Sequence, residues 1–150
     1  MSEATAELKV RPMDEIDIGA ITRIDEKVTG RYRPDEWEQR AIYYLRRDPE
    51  APQVAEIDGQ VVGFALGEVR SGEFGLEEPT GWVEVMAVDP DVRGRSIGKM
   101  LAEALFAHFR ERGAKRARTL VDTETMGDLA AFFESVGFEA ASLRPLVKNL

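Results

Sequence analysis

Val85-Met86-Ala87-Val88-Asp89-Pro90-Asp91-Val92-Arg93-Gly94-Arg95-Ser96-Ile97-Gly98 joins two periodic segments of different kinds. Before the turn, Trp82 to Val88 reads as a strand. After it, Ile97 to Arg112 reads as a helix with Ile97, Leu101, Ala104, Leu105 and Phe109 on one face. A strand, a short basic glycine turn and a helix make an anion site, because the first N–H groups of a helix have no internal partners. Gly94 and Gly98 lack a Cβ and let a ligand approach the backbone. Arg93, Arg95 and Lys99 place cations where the helix dipole favours anions. A bound phosphate or pyrophosphate accounts for them better than ordinary surface charge does, in a chain whose net charge is −8. The spacing is not the Gly-x-Gly-x-x-Gly nucleotide fingerprint.

Upstream, Leu8 to Arg11 alternates as a strand and Pro12 stops it. Asp14 or Asp17 caps a helix carrying Ile18, Ile21, Ile24 and Val28, which Gly30 ends. Pro34 opens a second helix with Trp37, Ala41, Tyr44 and Leu45 on one side, closed by Asp48-Pro49. Gln53 to Ile57 and Val61 to Val69 read as strands around the hairpin turn Asp58-Gly59. Gly63 and Gly67 inside the second strand signal a bend or a close backbone approach. Ser71 to Gly81 is a turn-rich loop carrying Phe74 and Leu76, a candidate lid or subunit contact. Downstream come a strand, Ala117 to Val121, a helix, Asp128 to Val136, and a mixed, extended end from Phe138. The order is strand, two helices, three strands, helix, strand, helix, strand. It predicts an α/β (or α+β) fold in which helices pack on a mixed sheet.

At 150 residues the chain predicts a single domain, 1–150, with a real core, and its hydrophobic share of 43% is ordinary. No apolar run approaches a membrane span and no signal peptide is visible, so the expectation is a cytoplasmic protein without a membrane partner. There is no cysteine, which excludes disulfides, a thiol nucleophile and thiolate metal ligands. His108 is the sole histidine, a poor basis for a metal site, and reads as a packed or surface residue. The acidic balance argues against broad contact with nucleic acid.

Two segments together resemble the GNAT superfamily of acyl-CoA-dependent N-acyltransferases. One is Val85 to Gly98, similar to the family's strand and its Gln/Arg-x-x-Gly-x-Gly/Ala loop. The other is Ala131-Phe132-Phe133-Glu134-Ser135-Val136-Gly137-Phe138, similar to its late helix-to-strand segment ending in Gly-Phe. The resemblance implies a GNAT-like, mostly antiparallel central sheet with helices on both faces, acetyl-CoA as donor and no metal. It implies that the N–H groups of Arg93, Gly94, Arg95, Ser96, Ile97 and Gly98, with Lys99, hold the pyrophosphate. The pantetheine would pair with the backbone of Met86, Ala87 and Val88, where the strand splays from its neighbour. Ala131, Phe132, Phe133 and Glu134 would flank it. Family members often pair, so a homodimer follows as an expectation.

Two departures stand out. Ser96 occupies the usual glycine of the loop; serine fills a position of ordinary φ, and its hydroxyl suits a phosphate oxygen. Phe133 stands where many members carry a tyrosine that protonates the leaving thiolate. It reads as core packing, and Tyr32, Tyr43, Tyr44 or water is left to substitute.

Acetyl transfer needs a neutral amine, and a lysine-type amine has a pKa near ~10.4, so a carboxylate base is useful. Glu84 is the first candidate, sharing a nominal face with Trp82 and Met86; the alternative is a solvated or ion-paired strand carboxylate. Asp122 and Glu124 are second choices. The N–H of Val88 or a neighbour would hold the oxyanion. Glu73, Glu77, Glu78, Glu84, Asp122 and Glu124 around one mouth would draw a cationic amine: a small molecule, a lysine side chain or a peptide N-terminus. The function expected is N-acetyl transfer to a primary amine by direct attack in a ternary complex. The alternatives are a non-catalytic acyl-CoA-binding sensor or partner module, or a turn that binds another phosphorylated ligand.

Overall fold

The structure, a computed structural model, describes residues 7–71, 75, 78–92 and 96–150. Its elements in chain order are β1 (Leu8–Pro12), a 3-10 turn (Glu15–Asp17), α1 (Ile18–Thr29), α2 (Pro34–Arg47), β2 (Gln53–Ile57) and β3 (Gln60–Arg70). There follow β4 (Thr80–Val88), a 3-10 turn (Pro90–Val92), α3 (Ile97–Glu111), β5 (Ala117–Thr119) and α4 (Gly127–Ser135). The chain divides into two compact units, Met1–Thr119 and Leu120–Leu150.

In the larger unit the described strands form a five-stranded sheet in the order β1-β2-β3-β4-β5. The first four pair antiparallel and β5 runs parallel to β4. Asp58 and Gly59, both with positive φ, make the tight turn between β2 and β3 that the Asp-Gly pair predicts. β4 begins at Thr80, so the preceding loop is shorter than the expected Ser71 to Gly81. Thr80 is fully buried, which explains how a turn-type residue enters the sheet.

The two faces of the sheet differ in kind. On one, α1 and α2 set Ile21, Ile24, Trp37, Ala41 and Tyr44 against Val54, Phe64 and Leu66, with Val85 and Ala87 alongside. The Trp37 and Phe64 rings meet edge to face at 5.3 Å. On the other, α3 lies where β3 and β4 carry glycine. A Cβ at Gly63 would meet Leu101 at 3.0 Å; one at Gly81 would fall 2.1 Å from the Phe109 ring. One at Gly67 would fall 2.3 Å from the Trp82 carbonyl. The strand glycines therefore mark a close approach, one of the two readings open from sequence.

His108 is a packed residue. It is buried on α3, with Nε2 2.7 Å from Asp48 Oδ2 just past the end of α2. Arg112 donates to the same carboxylate at 3.0 and 3.1 Å. Burial alone would raise the pKa of Asp48, but the bonds from Arg112 and His108 outweigh it and hold the carboxyl below its ordinary value. A depressed carboxylate stabilises the fold fully above the unfolded-state pKa, about 3.9, and stops doing so as pH falls through the lower folded value. Thermal melts from pH 6 to pH 3 should therefore show Tm falling more steeply for the native chain than for Asp48→Asn. Parallel curves would show that this carboxylate does not drive acid unfolding.

In the smaller unit α4 carries Phe133, buried between Phe132 and Phe138 at centroid distances of 5.5 and 5.0 Å. No strand follows Phe138; Leu146 and Val147 lie exposed, and the extended end read from sequence forms no ladder among the described residues. No helix among the described residues is long and apolar enough to cross a membrane.

Candidate active site

β4 changes character at Glu84. Its pairing with β3 runs Leu66 to Val85 and then Gly67 to Val83, so Glu84 is an extra residue, a β-bulge. At the same level β5 leaves: it pairs only with Gly81, Trp82 and Val83, and the Thr119 hydroxyl closes the pairing on the Val83 carbonyl at 2.9 Å. From Glu84 to Val88 that edge of β4 faces no strand among the described residues. The amide of Asp89 donates to Val62 on the β3 side at 2.7 Å. Backbone groups alternate along a strand, so the Val88 N–H turns to the open edge.

The bulge corrects the nominal face read from sequence. The extra residue resets the alternation, so Val85 and Ala87 join the Phe64–Leu66 cluster while Met86 falls opposite Ala65. Glu84 therefore does not share a face with Met86. It stays with Trp82, because Arg70 stacks over the Trp82 ring at 5.2 Å and donates from Nη2 to Glu84 Oε1.

Arg70 belongs to a network that sequence reading missed. Its Nε donates to Glu68 at 3.0 Å, and Arg47 Nε donates to the other Glu68 oxygen at 3.0 Å. The Tyr43 hydroxyl donates to both oxygens at 3.1 and 3.2 Å. Glu68 is buried, at 4% exposure. A charge inside the apolar run from Val61 to Val69 was the available signal, since a buried carboxylate must find partners. The bond to Glu68 is the main reason the Tyr43 phenol is pushed above its ordinary pKa, and that hydroxyl is already committed. Tyr44 is raised chiefly by burial and then by the fields of Glu84 and Glu68. Tyr32 is exposed.

Arg93, Gly94 and Arg95, the centre of the expected phosphate turn, lie outside the described residues, as do Glu73, Phe74, Leu76 and Glu77 of the loop before β4. Both flanks of the phosphate turn are described. On the near side, Lys27 of α1 bridges Asp89 and Asp91 at 3.0 Å each, and Asp89 accepts the Asp91 amide at 2.9 Å. On the far side, α3 begins with no acid in its first turn and no side-chain cap. The first helical bond there is Met100 N–H to the Ser96 carbonyl, so the amides of Ile97, Gly98 and Lys99 precede the ladder.

Ser96 corrects a second expectation. Its φ is 57° and its ψ 28°, left-handed rather than ordinary. A Cβ there costs about 1–2 kcal/mol, partly offset by the entropy a glycine would lose on folding, about 0.5–1 kcal/mol. Ser96→Gly should raise stability by up to about 1 kcal/mol, a Tm gain of about 2–4 °C. A thermal scan that shows no gain would mean the turn relaxes around serine.

Asp122 and Glu124 lie exposed in the smaller unit. Asp122 Oδ1 accepts the Glu124 amide at 2.9 Å, and the Asp122 carbonyl accepts the Met126 amide at 2.7 Å. Asp122 thus shapes the turn into α4. Of the acids expected around one mouth, Glu84 is paired with Arg70, and Glu78 lies 3.9 Å from Lys115.

A mixed sheet whose fourth strand bulges and parts from the fifth, followed by an uncapped helix start, is the layout of an acetyltransferase fold. Over residues 19–138 the chain matches the Acetyltransferase (GNAT) family, and it belongs to that family. It is similar to a mycothiol acetyltransferase of Thermobispora bispora, 37% identical over 61% of this chain and 30% of that protein. It is also similar to an L-2,4-diaminobutyric acid acetyltransferase of Nocardia farcinica, 32% identical over 61% of this chain and 45% of that one. The chain thus spans less than half the length of either. In fold it is similar to an aminoglycoside N-acetyltransferase solved with CoA, at TM-score 0.84 and 18% identity over 99% of both chains. Ard1 from Thermoplasma volcanium gives TM-score 0.75 and 24% identity over 90% of this chain and 84% of that one.

Proposed function

We propose that the chain transfers an acetyl group from acetyl-CoA to a primary amine by direct attack in a ternary complex. The observation that carries this reading is the coincidence, at one level of β4, of a bulged carboxylate and an open backbone edge. The residues present suit the thioester donor. The unladdered amides of Ile97 and Gly98, with Lys99, fit a pyrophosphate, and the edge from Met86 to Val88 fits an amide-bearing arm. Acetyl-CoA supplies the activated acyl group.

Glu84 takes the proton from the acceptor ammonium and leaves a nitrogen lone pair. That nitrogen bonds to the acyl carbon, the carbon–sulfur bond breaks, the thiolate leaves with the bonding electrons, and the new amide nitrogen gives up its second proton to water. The Val88 amide, turned to the open edge, holds the developing oxyanion. Phe133 donates no proton and the Tyr43 proton is committed to Glu68, so the thiolate takes its proton from water. A thiol of pKa about 8.5 tolerates that departure.

Release of free thiol from acetyl-CoA across a panel of amines tests the reading. Turnover that depends on the amine supports it. Tight calorimetric binding of acetyl-CoA without release on any amine would favour the non-catalytic acyl-CoA module, the second reading that Phe133 keeps open.

A further inference from the structure

We propose that Lys27 sets the affinity for the donor's phosphates by offsetting acid charge at the entry to the turn from Arg93. This rests on the reading that the turn and the start of α3 hold those phosphates. It adds a positioning residue on α1 that acts through Asp89 and Asp91.

The entry to an anion site is a poor place for carboxylates, yet the chain puts two there. Asp91 stands two residues before Arg93, so at most about 7.6 Å, two peptide steps, separates their Cα atoms. That is within the screening length of about 8 Å at physiological ionic strength, so the charge of Asp91 is felt at the turn. Asp89 is needed for shape. Its amide donates to the Val62 carbonyl at 2.7 Å, and its own carbonyl accepts the Val92 amide at 3.1 Å. Its Oδ1 accepts the Asp91 amide at 2.9 Å. These bonds fold the 3-10 turn between β4 and Arg93. The carboxylate that builds this turn thus repels the ligand the next one serves.

Lys27 relieves that conflict. Its Nζ lies 3.0 Å from Asp89 and 3.0 Å from Asp91, and no other cation bonds either acid among the described residues. Burial alone would raise the pKa of Asp89, but the Asp91 amide and Lys27 outweigh it, so the carboxylate is ionised. The bonds to Asp89 and then Asp91 raise the pKa of Lys27, so the ammonium keeps its charge. The three side chains together carry one net negative charge with Lys27 present and two without it. A cation in the last turn of α1 also suits the helix dipole, but the dipole alone does not require it to bridge two acids of another element.

Titration calorimetry with CoA at low ionic strength tests this. Lys27→Gln should weaken binding about fivefold, and Lys27→Arg should restore it. Asp91→Asn alone should tighten binding. The double variant Lys27→Gln/Asp91→Asn returns to one negative charge and should bind as the native chain does. The loss in Lys27→Gln should shrink below about twofold in about 0.5 M salt. In thiol-release assays it should fall on KM for acetyl-CoA rather than on kcat. It should vanish with acetyl-pantetheine, which keeps the thioester arm without the phosphates. A clamp that merely fixed the turn would leave the double variant no better than Lys27→Gln. That result overturns the proposal, as does equal CoA binding by Lys27→Gln and the native chain. A native chain that gives no heat with CoA overturns the reading of the turn itself, and this inference with it.

Discussion

Glu84→Gln should lower kcat by at least about 100-fold on an amine that is fully protonated at the assay pH, with little change in acetyl-CoA binding. Positioned general bases contribute about 10²–10⁴ in rate. Glutamine keeps the size of the side chain and an acceptor oxygen for Arg70, so the bulge and the network keep their geometry. It cannot take the ammonium proton. The loss should shrink as pH rises toward the amine's own pKa, because solution then delivers the neutral nucleophile. Rate profiles of both proteins between pH 6 and pH 10 check this. Profiles that differ by a constant factor would make Glu84 a binding residue, and superimposable profiles would remove it from the site.

Gly81→Ala should destabilise the chain by at least about 3 kcal/mol, the upper end of overpacking costs. The added methyl would lie 2.1 Å from the Phe109 ring, which α3 holds buried against the sheet. Small domains are stable by only about 5–15 kcal/mol, so a large share of the folding free energy would be lost. Phe109→Ala alone should cost about 3–5 kcal/mol by leaving a cavity. The double variant should be more stable than the two losses combined predict, since the methyl then fills part of the space the ring vacates. Urea titrations of the four proteins measure the coupling, and strict additivity would mean that ring and glycine do not meet.

Local signals carried much of the fold. The Asp58-Gly59 turn, the bounds of β2 and the apolar stripe of α3 each depend on residues close in sequence, and each lies where the pattern put it. The misreadings share a cause. The bulge at Glu84 exists because β3 and β4 register differently on either side of it, and no window of β4 alone contains that. Arg70 and Glu68 sit on β3, with partners on α2 and β4, so their network is invisible until strands and helices meet. Ser96 looked harmless because side-chain type says little about φ once the flanking turn dictates it. Glu84 stands out in the sequence as a carboxylate in an otherwise apolar strand, but the face it occupies does not.

The sheet's contrasting sides have an evolutionary corollary. Beneath α3 a methyl at Gly63, Gly67 or Gly81 would crowd its neighbours, so those three positions would stay frozen in lineages descending from this chain. Across the sheet the core from Ile21 to Leu66 resists exchange in its own way, by packing large side chains rather than by excluding them. One scaffold thus carries two kinds of constraint, a ban on added atoms on one side and a demand for matched volumes on the other.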